Sequence, residues 1–394
     1  MPLFYYPLAN SVLIPFLTAQ APGLADSSRA VVALGLGSLI VISLVVNMVI
    51  SRPKTNLLDI LVLWRRPEAW ATILFFWLIG VTAFQPQPTS VQNITAYGVT
   101  LAILFATHFD TAFVERLVRP VTFLFSAVFI FAGIIGIFNY SIFLFIGSNP
   151  RVYATYGVIT ICMLFAVRIP ATARIALISG IYASIVISES RIAFGTALAV
   201  AIVGFTITAR RPVITPIGVI LIGVVAFFYT LRIPFIASRM AVPQFANSSV
   251  LGVYDSDRSL GWRAVIDSFV KEPFFGQGAG SGQTVTLRDA FPIDHPHSEY
   301  LRVLHDGGLV AGVLAAIVIG LLMWQLRPRT SGRVSNPLVV GAFLLIVAGL
   351  TLGTIENFLV FPSLMWPAAV LVGIGLNQAR RDAWETKGNE ITST

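Results

Sequence analysis

Apolar residues run along this chain in long unbroken blocks, and polar residues collect in the gaps between them. Blocks of about 17–25 residues are the length an α-helix needs to cross a hydrocarbon core of about 30 Å. The pattern predicts twelve spans, over 3–20, 29–50, 68–84, 93–108, 119–138, 151–167, 172–188, 191–209, 213–231, 299–325, 336–355 and 357–377. Pro7 and Pro15 interrupt the first. The blocks are continuous rather than alternating, which argues against a β-barrel. Gaps near Pro170, Glu189 and Pro212 are so short that the flanking helices must be antiparallel neighbours. The expected fold class is an all-α polytopic membrane protein with about twelve transmembrane helices and one large extracytoplasmic loop that contains an amphipathic helix.

One long gap breaks the rhythm. It divides the chain into membrane helices 1–9 (1–231), a loop (232–298), helices 10–12 (299–377) and a polar tail (378–394) that is expected to fray. The stretch from Asp257 to Gly308 holds His295, His297 and His305, with Arg258, Arg263, Arg288 and Arg302. Within it, Leu260, Trp262, Val265, Ile266 and Phe269 recur at helical spacing and predict an amphipathic helix over 258–272. Ser256 or Asp257 can cap its start and Pro273 stops it. FFGQGAGSG then reads as a flexible turn, followed by coil up to DHPHSEY. A second amphipathic helix, over 55–66, is expected on the inner membrane face, with Leu57, Leu58, Leu61 and Trp64 toward lipid.

Composition narrows the class. Hydrophobic residues make up 56% of the chain, charged ones 11%, and mean hydropathy is +0.83, which no soluble globule could hide. The net charge of +8 is spread in pairs at helix ends, a pattern of membrane orientation rather than nucleic-acid binding. With the N-terminus inside, sixteen Lys and Arg fall in inside connections and three, Arg29, Arg151 and Arg191, in short outside ones. That bias places the long loop outside, which in a bacterium is the periplasm. Cys162 stands alone in an apolar block and cannot form an intrachain disulfide. The N-terminus lacks a basic n-region, so no cleavable signal peptide is expected.

Several polar residues at the outer boundary could carry chemistry, each against a plainer reading. Arg191 opens a span directly after Glu189, and Glu356 closes another. Both suit a cavity lining or an ordinary interfacial anchor. Arg258 and Arg263 suit a phosphate partner, because the guanidinium fork donates two parallel hydrogen bonds. Arg263 also suits a solvated face beside Asp267 and Glu272. His297 reads as a general base or as a structural histidine. His295, His297 and Asp294 could hold a metal, though their spacing matches no zinc signature. His305, two turns into the next span, reads as a buried packing or hydrogen-bonding residue. FGQGAGSG has a GxGxxG-like spacing, but no strand precedes it and no acidic residue follows at the right interval.

Four blocks in order resemble the O-antigen ligase and polymerase superfamily. They are SESRIAFGTALAV, RSLGWRAVIDSFVKEPFFGQGAG, HPHSEYLRVLHDGGLVAGVL and GTIENFLVFPSLMW. The resemblance implies a GT-C-like, metal-independent, inverting glycosyltransferase of the bacterial inner membrane, with its active site facing the periplasm and no cofactor. Such enzymes move a glycan from an undecaprenyl-pyrophosphate carrier to another glycan or to lipid A–core. By resemblance Arg191 and Arg258 bind the pyrophosphate, with Arg263 a weaker candidate. His297 falls on the family's essential histidine and Glu356 on its outer acidic position. Ser298 stands where asparagine is common, so no role carries over to it. The lipid bilayer, and polysaccharide-export or chain-length proteins, are the expected partners; nucleic acid is not. The alternatives are a secondary transporter or a flippase for lipid-linked sugars. Against them, no inverted pair of broken helices is visible in the sequence, and the charges gather at one face.

Overall fold

A computed structural model describes residues 64–106, 111–139, 141–143, 150–188, 190–208, 249–250, 253–254, 258–290, 295–328, 336–356 and 362–392. The predicted spans at 3–20, 29–50 and 213–231 lie outside these residues, as do most of the 55–66 segment, Glu189, Ser256, Asp257 and Asp294.

The other nine predicted spans each coincide with a helix. They are α1 (Pro67–Phe84), α2 (Ser90–Ala106), α3 (Thr111–Phe138), α4 (Pro150–Phe165), α5 (Ala171–Ile187) and α6 (Arg191–Thr208), then, beyond the loop, α9 (Glu299–Leu326), α10 (Pro337–Leu352) and α11 (Pro362–Thr392). Two helices lie in the loop, α7 (Arg258–Phe269) and α8 (Ser281–Asp289). A two-residue antiparallel pair, β1 (Ser249–Val250) with β2 (Val253–Tyr254), precedes them. Among the described residues four helical stretches, Pro67–Phe84, Arg116–Phe138, Arg191–Thr208 and Glu299–Leu326, are long and apolar enough to cross a membrane. Four shorter apolar helices accompany them. The described residues are almost entirely helical, which fits a polytopic membrane protein.

Local chemistry sets several of the ends. Pro67 begins α1 at a position where its missing N–H costs nothing. Asn336 caps α10 by accepting the Leu338 N–H at 3.0 Å, and Pro337 follows it. α4 is apolar all round and sits in the middle: Tyr153, Val158, Ile161, Cys162 and Leu164 are fully buried. α6 and α10 pack on it, α5 packs on α3, and α9 runs antiparallel against α1.

Four expectations need correction. α3 begins at Thr111 rather than 119 and runs through Pro120. Where water is scarce, continuing the helix satisfies more backbone groups than ending it at the proline. The tail does not fray at Arg380, because α11 continues to Thr392. Arg380 pairs with buried Glu68 of α1 at 2.5 Å and donates to Gln325 Oε1 of α9, which ties three helices together. The amphipathic helix ends at Phe269, before Pro273, and the segment read as coil contains α8.

The glycine-rich run is not a flexible turn. Gly276, Gly278 and Gly280 all have φ between 81° and 88°, and the run is pinned at both sides. The N–H groups of Gln277 and Gly278 donate to the carbonyls of His305 and Asp306 at 3.0 and 2.9 Å. The Leu309 N–H returns to the Pro273 carbonyl at 2.8 Å. α9 makes room by breaking at Gly308 (φ 71°, ψ −172°). On the other side, Ala279 N–H donates to Thr82 Oγ1 and Ser90 Oγ donates to the Ala279 carbonyl. The loop is thus wedged between α1, α2 and α9, and its backbone polar groups are satisfied by protein instead of water.

Candidate active site

α7 brings the loop's basic residues to the bundle. Its inward stripe is Gly261, Val265 and Ser268. Arg258 lies beside that stripe and reaches Glu356 at the end of α10, Nη2 to Oε1, at 2.9 Å. Their side chains are 13% and 15% exposed. Glu356 is placed by a turn that continues α10, where its own N–H bonds the Leu352 carbonyl at 2.8 Å.

Two more arginines act on this pair. Burial pushes the Arg258 guanidinium below its ordinary value; Glu356 opposes that shift, while Arg151 and Arg191 add to it by repulsion. Arg151 stands at the start of α4 and Arg191 at the start of α6, so both guanidinium groups stand near Arg258 at this end of the bundle. Like charges held close in a partly desolvated place make a local positive field. Such a field suits an anion with several acceptor oxygens.

His297 sits directly before α9. It is half-buried, and it is the non-glycine residue with positive φ (47°) among the described residues. Conformations of this kind persist only where neighbours impose them, and they cluster at functional sites. Here the neighbours are identifiable. Ser298 caps α9 through the Leu301 N–H, and the Glu299 N–H donates to the Gly353 carbonyl at 2.8 Å. That bond joins the turn carrying His297 to the turn carrying Glu356.

Beneath His297 lies a buried polar group that sequence reasoning missed except for His305. Glu299 pairs with Arg302, whose guanidinium also lies over the Tyr97 ring. Asp306 accepts from the N–H groups of Gly280 and Gly282 and from Ser281 Oγ, at 2.9, 3.0 and 3.0 Å. Ser281 Oγ also meets His305 Nδ1 at 2.8 Å. The hydroxyl has one proton; if Asp306 takes it, Nδ1 must carry a hydrogen and donate. His305 is therefore the buried hydrogen-bonding residue expected of it. Ionisable residues this deep in an apolar helix were the available signal for the whole group.

The other expected residues fall as follows. Arg191, Arg258 and Glu356 come together, and Arg151 joins them without having been singled out. Its signal was its place among the few outside arginines. Arg263 is exposed and lies about 140° around α7 from Arg258, so it points away from the cluster. Among the described residues no group of three His, Cys, Asp or Glu is arranged to hold a metal. A cavity of about 680 Å³ lies at the opposite end of the bundle, by Arg168, Arg174, Thr208 and Asn336, and takes in none of these residues.

Residues 175–316 match the family model described as O-antigen ligase. The match supports the O-antigen ligase and polymerase family. The matched stretch runs from within α5 through α8 to the middle of α9, and holds Arg191, Arg258, Arg263 and His297; Glu356 follows it. No curated protein matches the chain. The O-antigen ligase match supports enzymatic glycan transfer of the ligase and polymerase type, acting in a membrane on lipid-linked glycan and acceptor.

Proposed function

We propose that this protein transfers a glycan from an undecaprenyl-pyrophosphate carrier to an acceptor sugar hydroxyl at the periplasmic face of the bacterial inner membrane, without a metal and with inversion. The Arg258–Glu356 ion pair, with Arg151 and Arg191 close enough to act on Arg258, carries this reading. In the reaction the acceptor oxygen attacks C1 of the donor sugar, the C1–oxygen bond to the diphosphate breaks, and undecaprenyl diphosphate leaves as an anion. Arg258 and Arg191 meet the charge that develops on that leaving group, which is where fixed cations lower a barrier most. Arg263, exposed on another face of α7, is at most a peripheral contact with the same headgroup.

The acceptor proton goes to His297. Glu356 is occupied in holding the Arg258 guanidinium, so its role is to aim that fork, while the imidazole accepts the proton. A base of this kind contributes about 10²–10⁴-fold. The donor is already activated, which fits the absence of any nucleotide-binding motif from the sequence.

The test is transfer in vitro. Purified protein, a lipid-linked glycan and an acceptor glycan or lipid A–core should give product without an energy source and in the presence of EDTA. No product from folded protein, or product only when metal is restored, would overturn the reading. A deletion strain separates the two activities. Loss of polymer altogether marks a polymerase, and finished polymer retained on its carrier marks a ligase.

A further inference from the structure

We infer that the N-terminus of α6, with the Ser190 hydroxyl, forms an anion cradle that takes a phosphate oxygen of the donor diphosphate beside Arg191 and Arg258. The inference rests on the proposed function for the identity of the anion. It adds ligands that the arginines do not account for.

Ser190 occupies the N-cap position of α6. Its carbonyl accepts the first intrahelical bond, from the Phe194 N–H, at 3.0 Å. A serine in that position ordinarily turns its hydroxyl back to accept from the second or third N–H of the helix. Ser190 does not. It is 5% exposed, and its Oγ has no hydrogen-bond partner. A hydroxyl so placed costs about 1–3 kcal/mol unless something pairs with it. The early N–H groups of the helix also lack intrahelical acceptors, and no acidic side chain occupies the first turn.

Three features therefore converge at one helix end. α6 runs 18 residues, long enough for its aligned peptide dipoles to place partial positive charge at this end. Its first residue, Arg191, acts on Arg258 across the gap. The Arg258 Nε is itself buried with no partner. A hydroxyl donor and backbone donors at the helix end whose first residue acts on Arg258 suit a tetrahedral anion with several acceptor oxygens. A single carboxylate could not use them all.

The decisive substitution separates capping from ligand binding. Ser190→Asp places an equally good N-cap at the helix start but puts a negative charge in the cradle. The probe is inorganic pyrophosphate titrated calorimetrically into the purified full chain in detergent without metal, with thermal unfolding followed in parallel. We expect the wild-type protein to bind it. Ser190→Ala should weaken binding about tenfold. Ser190→Asp should abolish binding and glycan transfer while its unfolding midpoint holds or rises. Wild-type affinity in Ser190→Asp overturns the inference. Should that variant fail to fold, unchanged affinity in Ser190→Ala overturns it equally. Arg258→Lys keeps the two readings apart. If it loses binding while both Ser190 variants keep it, the cradle is wrong and the proposed function stands. If the wild-type protein binds no pyrophosphate, both fail.

Discussion

Arg258 Nη2 and Glu356 Oε1 lie 2.9 Å apart although 98 residues of chain separate them. The contact joins the loop helix α7 to the turn that continues α10, and it fixes a guanidinium where two other arginines already raise the local potential. Arg258→Lys keeps the charge and loses the fork. Transfer should fall by about 10²-fold or more, as when a fixed donor is removed from a developing anion, while membrane insertion is unchanged. The comparison is initial transfer rate against the amount of folded protein; near wild-type rates would remove Arg258 from the leaving-group site.

His297→Ala should act on the chemical step. The rate should fall by about 10²–10⁴-fold while affinity for the lipid-linked donor stays within a few-fold. Single-turnover kinetics beside donor binding separates the two. A loss confined to donor affinity would move His297 from base to binding residue.

Gly308→Ala probes the wedge. A Cβ there would meet the Phe274 carbonyl oxygen at 2.1 Å, on a residue whose φ is 71°. The facing strand of the loop cannot retreat, since the Leu309 N–H holds the Pro273 carbonyl. The variant should lose about 1–3 kcal/mol of stability, seen as a lowered unfolding midpoint in detergent. Gly320→Ala, whose Cβ would meet nothing within 4 Å, is the control and should leave the midpoint unchanged.

Asp306→Ala removes the acceptor of three buried donors, the Gly280 and Gly282 N–H groups and Ser281 Oγ. Stranding buried donors costs about 1–3 kcal/mol each, so this variant should be among the least stable single substitutions where α9 meets the loop. Asp306→Asn keeps acceptor capacity on one oxygen and should fall between the two. A midpoint for Asp306→Ala equal to wild type would mean that water replaces the carboxylate and the group is not sealed.

Arg263→Ala is the contrasting case. With the side chain exposed and about 140° from Arg258 around the helix, transfer should stay within about threefold of wild type, since surface substitutions away from a site act weakly. A loss as large as that of Arg258→Lys would show that α7 turns its outer face to the donor.

Helix positions were legible because apolar length is a property of consecutive residues and the bilayer enforces it. The nine spans that fall among the described residues needed no knowledge of their neighbours. Arg191, His297 and Glu356 were legible as candidates because polar groups at the end of an apolar span stand out locally, and Arg258 because it opens the amphipathic helix of the loop. What sequence could not supply was which of them meet. The cost of burying Arg258 depends on Glu356, Arg151 and Arg191, and these reach it from three other helices. The glycine run illustrates the same limit. Three glycines look like freedom in a sequence, but in the fold a Cβ on Gly276 would strike the α9 backbone at Gly307 and Gly308, one on Gly278 the Gln85 carbonyl, and one on Gly280 the Thr89 hydroxyl. Ser190 is the last instance: its identity predicts a helix cap, and only its unpartnered hydroxyl in the folded chain distinguishes a cap from a waiting ligand donor.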